Sequence, residues 1–259
     1  MTSIPFFQVD AFAERPLTGN PAAVMPLERW LDDALMQAIA AENNLSETAF
    51  TVPSESADAD FDLRWFTPAT EVDLCGHATI ASGHVLIHAD KVRFSTRSGI
   101  LTVSRNGDLL ELDLPAYEVA SGELPGLQGA LGTDGELFVG DGGNNSAILL
   151  LPDEDAVRAV RPDFARLKQF DRLVIVTAPG REHAVASRVF ASYHGIDEDP
   201  VTGSAHAALV PFWAKRLGRD EFTALQASER SGILHCRVAG DRVILGGHCQ
   251  TVIAGQFQL

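Results

Sequence analysis

Cysteine is scarce in this 259-residue sequence. The three present, Cys75, Cys236 and Cys249, are an odd number with no C-x-x-C pair. That argues against a disulfide framework or a structural zinc site and fits a reducing compartment. Positive charge is also short: 20 Lys and Arg face 35 Asp and Glu, for a formal net charge of −15. Such an excess repels phosphate backbones and anionic lipid heads, so neither nucleic acid nor membrane is expected as a partner. No window reaches about 18 apolar residues, and the start carries neither a basic n-region nor a long apolar h-region. A cytoplasmic, unprocessed chain is therefore expected. The G-x-G-x-x-G, G-x-x-x-x-G-K-[ST] and G-x-S-x-G signatures are missing too, which leaves dinucleotide, P-loop and esterase chemistry without support. Hydrophobic residues at 46% and charged residues at 21% are ordinary values for a cored protein.

What is present is an internal repeat. Arg97-Ser98-Gly99-Ile100-Leu101 returns as Arg230-Ser231-Gly232-Ile233-Leu234, and Gly-Asp follows at matching spacing in both copies, at Gly107-Asp108 and Gly240-Asp241. Each copy reads as strand, tight turn, strand. Upstream, Cys75-Gly76-His77-Ala78-Thr79 has a counterpart in Thr202-Gly203-Ser204-Ala205-His206, and each opens an apolar segment of helical length. A helix with no polar face is a buried helix. The fold class expected is α+β, with two similar halves, each a sheet curled around a central helix. The halves are residues 1–115 and residues 116–259, the second opening with a Gly-rich connector that runs to about 135. The cleft between the halves is the default ligand site.

Elsewhere the pattern predicts strands at 6–9, 45–52, 61–66, 137–139, 146–151, 173–176, 187–192 and 250–259. Helices are predicted over 31–43, with Leu31, Leu35, Ala38 and Ile39 on one side, and within 153–169. The run from Gly140 to Asn145 reads as a turn between strands.

Several residues could carry chemistry. Gly76 and Gly203 sit at helix starts, where free backbone N–H groups favour an anion, or else simply allow close helix–strand packing. Asp199 is pushed towards extended backbone by Pro200 and could cap the second helix or enter the site. Alternation places Glu47 beside Leu45 and Ala49, with Ser46, Thr48 and Phe50 opposite; both faces hold apolar residues, so its exposure stays open. An inward Glu47, desolvated, would be a usable proton shuttle. His77, His84 and His88 fall at i, i+7 and i+11, but no H-E-x-x-H accompanies them, and His84 and His88 read as packing or helix-end residues rather than as metal ligands.

These residues assemble into a family pattern. Asp10-Ala11-Phe12, Gly19-Asn20-Pro21-Ala22, Asn44-Leu45-Ser46-Glu47-Thr48-Ala49-Phe50, Phe66-Thr67-Pro68, Cys75-Gly76-His77-Ala78-Thr79 and Asp199-Pro200-Val201-Thr202-Gly203-Ser204-Ala205 occur in family order over nearly the whole chain. The sequence resembles the PhzF family of phenazine-biosynthesis-like isomerases. The resemblance implies the diaminopimelate-epimerase-like fold, with mostly antiparallel sheets, and a homodimer. It also implies chemistry without cofactor or metal, in which Glu47 moves a proton between carbons of a small cyclic or unsaturated carboxylate. His77, Asp199 and Ser204 match positions that assist binding or proton transfer, and Gly76, Gly203, Thr202 and Cys75 would line the substrate.

Related racemases use two opposed cysteines before the turn glycines. Here the positions hold Cys75 and Thr202, and a hydroxyl is a far poorer acid or base than a thiol. The expected function is a cofactor-independent isomerase. The alternatives are a non-catalytic metabolite- or protein-binding module on the same fold, and an epimerase that pairs Cys75 with a carboxylate.

Overall fold

The computed structural model describes residues 3–140 and 145–259. The chain divides into two compact units, Met1–Asp113 with Gly246–Leu259, and Leu114–Leu245.

In the first unit the elements are β1 (Ser3–Ala11), β2 (Asn20–Pro26), α1 (Asp33–Asn43), β3 (Glu47–Pro53), β4 (Phe61–Phe66), β5 (Glu71–Val72), α2 (Gly76–Leu86), β6 (Lys91–Thr96), β7 (Gly99–Asn106) and β8 (Leu109–Pro115). Strand β1 pairs antiparallel with β2, β2 parallel with β3, β3 antiparallel with β4, β4 parallel with β6, and β6 antiparallel with β7. The two faces of this sheet are covered by different helices. Phe50 of β3 packs with Met36, Ile39 and Ala40 of α1, while α2 contacts β1, β2, β3, β6 and β7. Helix α2 is buried along almost its whole length, as a helix without a polar face must be.

The second unit contains β9 (Ala120–Ser121), α3 (Leu127–Leu131), β10 (Glu136–Val139), β11 (Ser146–Leu150), α4 (Glu154–Ala159), α5 (Phe164–Leu167), β12 (Leu173–Pro179), β13 (Val185–Ala191), β14 (Ile196–Asp199), α6 (Gly203–Leu217), β15 (Glu221–Gln226), β16 (Gly232–Ala239) and β17 (Arg242–Gly247). Its pairing repeats that of the first: β10–β11 antiparallel, β11–β12 parallel, β12–β13 antiparallel, β13–β15 parallel, β15–β16 antiparallel. Helix α6 stands where α2 stands in the series and is buried from Ala205 to Ala214. The two curled, mostly antiparallel sheets of the repeat reading are therefore present.

Several elements differ from the sequence pattern. The final strand, β18 (Cys249–Gln258), belongs with the first unit and not with residues 116–245: it pairs along all of β1, from Ser3 with Gln258 to Ala11 with Cys249. The helix expected across 153–169 is broken in two, with Asp153 and Asp163 each accepting a hydrogen bond from a backbone N–H three residues on, so that each caps its own short helix. The connector carries β9 and α3. On α1 the buried residues are Met36, Ile39 and Ala40, while Ala38 is exposed. Residues 141–144 of the expected turn lie outside the described residues. Among the described residues no helix is long and apolar enough to cross a membrane.

Candidate active site

Glu47 reaches its position through a backbone device. Helix α1 ends at Asn44, whose left-handed φ of 48° turns the chain, a conformation asparagine tolerates better than most residues. Strand β3 starts three residues later at Glu47. Because Phe50 faces α1, period-2 alternation sends Glu47 and Ala49 to the opposite face, where α2 lies. Sequence alternation left this open because both faces are covered. Glu47 is 7% exposed.

Helix α2 brings the partner. Cys75 is its N-cap in extended conformation, and Gly76 and His77 form its first turn. His77 Nε2 lies 2.9 Å from Glu47 Oε2, a buried contact between imidazole and carboxylate. On the other edge of the ring, Nδ1 meets Cys75 Sγ at 3.5 Å and Asn20 Nδ2 at 3.2 Å. Burial opposes charge on the imidazole, but the neighbouring Cys75 and Glu47 outweigh it and raise the His77 pKa well above the ordinary histidine range. Burial pushes the Cys75 thiol up to about 11. At neutral pH it is therefore a thiol, and the Glu47 carboxylate is the neighbour that favours a proton on His77. Cys75, His77 and Glu47 offer donor atoms within 4.8 Å of one another. The thiol meets Nδ1 and the carboxylate meets Nε2, on opposite edges of the ring.

In the second unit, Asp199 closes β14 and is buried. Its Oδ2 accepts from Thr202 Oγ1 at 2.5 Å. Thr202 is the N-cap of α6, and its remaining polar groups are also engaged: its N–H donates to Gln226 Oε1 at 2.9 Å and its carbonyl accepts from His206 Nδ1 at 2.8 Å. Gln226 Nε2 donates to the Asp199 carbonyl at 2.7 Å. Asp199 therefore bonds the cap residue of α6, while Gly203 and half-buried Ser204 occupy the first turn. The Thr202 hydroxyl is spent on Asp199.

The structure thus gathers Glu47, Cys75, Gly76 and His77 in one unit and Asp199, Thr202, Gly203 and Ser204 in the other. His84 and His88 do not form a pair on one helix, since α2 ends at Leu86; His84 Nε2 instead meets Thr251 Oγ1 at 3.0 Å. Asn20, Gln226 and His206 were not singled out as site residues. Each acts through a partner distant in sequence or through the backbone, and only the Gly19-Asn20-Pro21 block hinted at the first.

Comparison with known proteins follows the same lines. Residues 9–255 match the family model of the phenazine biosynthesis-like protein family, PhzC-PhzF. An uncharacterized isomerase of Pseudomonas aeruginosa is 48% identical, over 99% of this chain and 99% of its own. The crystal structure of a PhzF family protein from Enterococcus faecalis superposes with a TM-score of 0.91 at 44% identity over 100% of both chains. A hydroxyproline epimerase from Agrobacterium vitis, 12% identical with a TM-score of 0.62 over 98% of this chain and 92% of its own, shares the fold alone. The architecture is the α+β, diaminopimelate-epimerase-like one, and the chain belongs to the PhzC-PhzF family of phenazine biosynthesis-like proteins.

Proposed function

We propose that the chain is an isomerase that moves a proton between two carbons of a small cyclic or unsaturated carboxylate without a cofactor, with Glu47 as the proton carrier. One observation carries this reading: the Glu47 carboxylate is buried with Oε2 2.9 Å from Nε2 of His77, in the first turn of α2. A buried carboxylate beside an imidazole is placed to take up a proton and to give it back. In the proposed step the carboxylate of Glu47 takes a carbon-bound proton while the C–H electron pair moves into the adjoining π system. The protonated Glu47 then delivers the proton to a second carbon as the electrons return. Cationic His77 and the first-turn amides of Gly76 would stabilise the developing enolate or dienolate charge. Asp199, Ser204, Thr202 and Gly203 are assigned to holding the polar groups of the substrate. The relative named as an isomerase supports the reaction class.

The epimerase reading with Cys75 as the second base is disfavoured by burial of the thiol and its pKa near 11. The test is proton NMR in D2O with a panel of small unsaturated and cyclic carboxylates. The wild type is expected to place deuterium at carbon in at least one of them, and Glu47→Gln to slow this by about 100-fold or more. Undiminished exchange in the variant would remove Glu47 from the mechanism.

A further inference from the structure

Gly19, with φ +69°, makes the turn into β2 so close that a Cβ there would lie 2.2 Å from the Ala11 carbonyl oxygen. That tight turn sets Asn20 at the head of β2, opposite Ala11, and two residues later β2 runs beside Glu47 of β3 through Ala22. Asn20 is fully buried. Its Nδ2 is 3.2 Å from His77 Nδ1, and its Oδ1 accepts from Ser46 Oγ at 3.1 Å. An amide nitrogen only donates, so with Nδ2 turned to the ring, as here, Nδ1 offers a lone pair. The neutral ring then carries its proton on Nε2, the nitrogen beside Glu47.

We propose that Asn20 is a positioning residue for the Glu47–His77 pair: its amide bonds His77 Nδ1 and so directs Nε2–H of the neutral ring to Glu47. When the ring is charged the amide turns over, so that Oδ1 accepts from Nδ1–H and Nδ2 donates to Ser46 Oγ. A serine hydroxyl both donates and accepts, so it can follow either orientation. The contacts of Asn20 with His77 and with Ser46 are kept in both states, so His77 can gain or lose a proton with its Asn20 partner retained. The titratable groups acting on His77 are Glu47 from β3 and Cys75 at the helix start; the carboxylate favours the charged ring, and Cys75 does so only as a thiolate. Asn20 from β2 is the neutral partner that accommodates either form. This inference rests on the reading of Glu47 and His77 as the reacting pair.

The test is nitrogen NMR of the resting protein labelled with 15N-histidine, with the His77 signals assigned by their loss in His77→Gln. Above its titration midpoint, His77 in the wild type is expected to show a lone-pair Nδ1 and a protonated Nε2. A neutral ring protonated at Nδ1 would overturn the proposal. In Asn20→Asp, whose carboxylate only accepts, the midpoint is expected to rise by about one pH unit or more, a tenfold change in proton affinity. An unmoved midpoint would overturn it. Should that variant fail to fold, the wild-type tautomer alone still decides. No substrate enters this measurement, so its failure leaves Glu47-dependent exchange standing, and absence of that exchange leaves the tautomer result standing.

Discussion

At Cys75 two effects compete. An imidazole 3.5 Å away favours a thiolate, and full burial disfavours it; burial wins, with the thiol pushed up to about 11. Cys75→Ala is therefore expected to keep kcat within about threefold of wild type, because no transition-state interaction is lost. A drop of several hundredfold would restore the thiol to the mechanism. His206 shows the same physics with the opposite charge type. Burial lowers its pKa from 6.5 to about 4 although the Thr202 carbonyl, bonded to Nδ1, favours the charged form. The folded state thus prefers the neutral ring. Its contribution, about 3 kcal/mol, is present in full above pH 6.5 and is lost as the pH falls through 4. Urea unfolding at pH 7 and pH 4.5 should show a smaller acid loss in His206→Gln than in wild type; equal losses would assign the acid sensitivity elsewhere. His77, with a raised pKa, contributes in the other sense: its share is present below the ordinary histidine range and fades as the pH rises through its folded value. The motif blocks displayed Glu47 and His77 but not their contact. That contact, like Asn20 with His77 across 57 positions and Gln226 with Thr202 across 24, is created by folding, and no local spacing encodes it.

Helix α2 was legible as a buried helix because its residues offer no polar face, and the identical Arg-Ser-Gly-Ile-Leu strings marked β7 and β16, both of which start near the string's glycine. The strings do not share a loop: two residues separate β6 from β7, whereas 227–231 separate β15 from β16. No strand was expected at β2, whose opening residues Asn20 and Pro21 are poor strand formers, yet Pro21 lies in a ladder with Asp10. Where α2 meets β7 the fit is tight. A Cβ added at Gly83 would come within 2.6 Å of Val103 Cγ1 and 2.8 Å of its Cβ. Valine is stiff at χ1 and cannot swing away. Gly83→Ala is expected to destabilise by about 1–3 kcal/mol despite the better helix propensity of alanine. Val103→Ala, harmful alone, should restore part of that loss in the double variant. Additive urea midpoints would mean that the contact is not the cause.

Across the whole molecule, the same succession of parallel and antiparallel pairings occurs in both units, which accounts for the length as two copies of one plan. The net charge of −15 bears on the proposed anionic substrate. Diffuse repulsion slows the encounter, and capture falls to the local amides and His77. Raising the ionic strength from about 0.01 to 0.15 M shortens the Debye length from roughly 30 to 8 Å and should raise kcat/KM; a fall would indicate that a local cationic field dominates. The chain's organisation also has a consequence for its synthesis. Residues 114–245 form an uninterrupted unit, whereas the unit holding Glu47 and His77 takes its β1 partner from residues 249–258. On the ribosome the later-made unit has all its strands before the earlier-made one does. The Glu47–His77 pair waits, on a sheet still lacking its last strand, until residues 249–258 have been made.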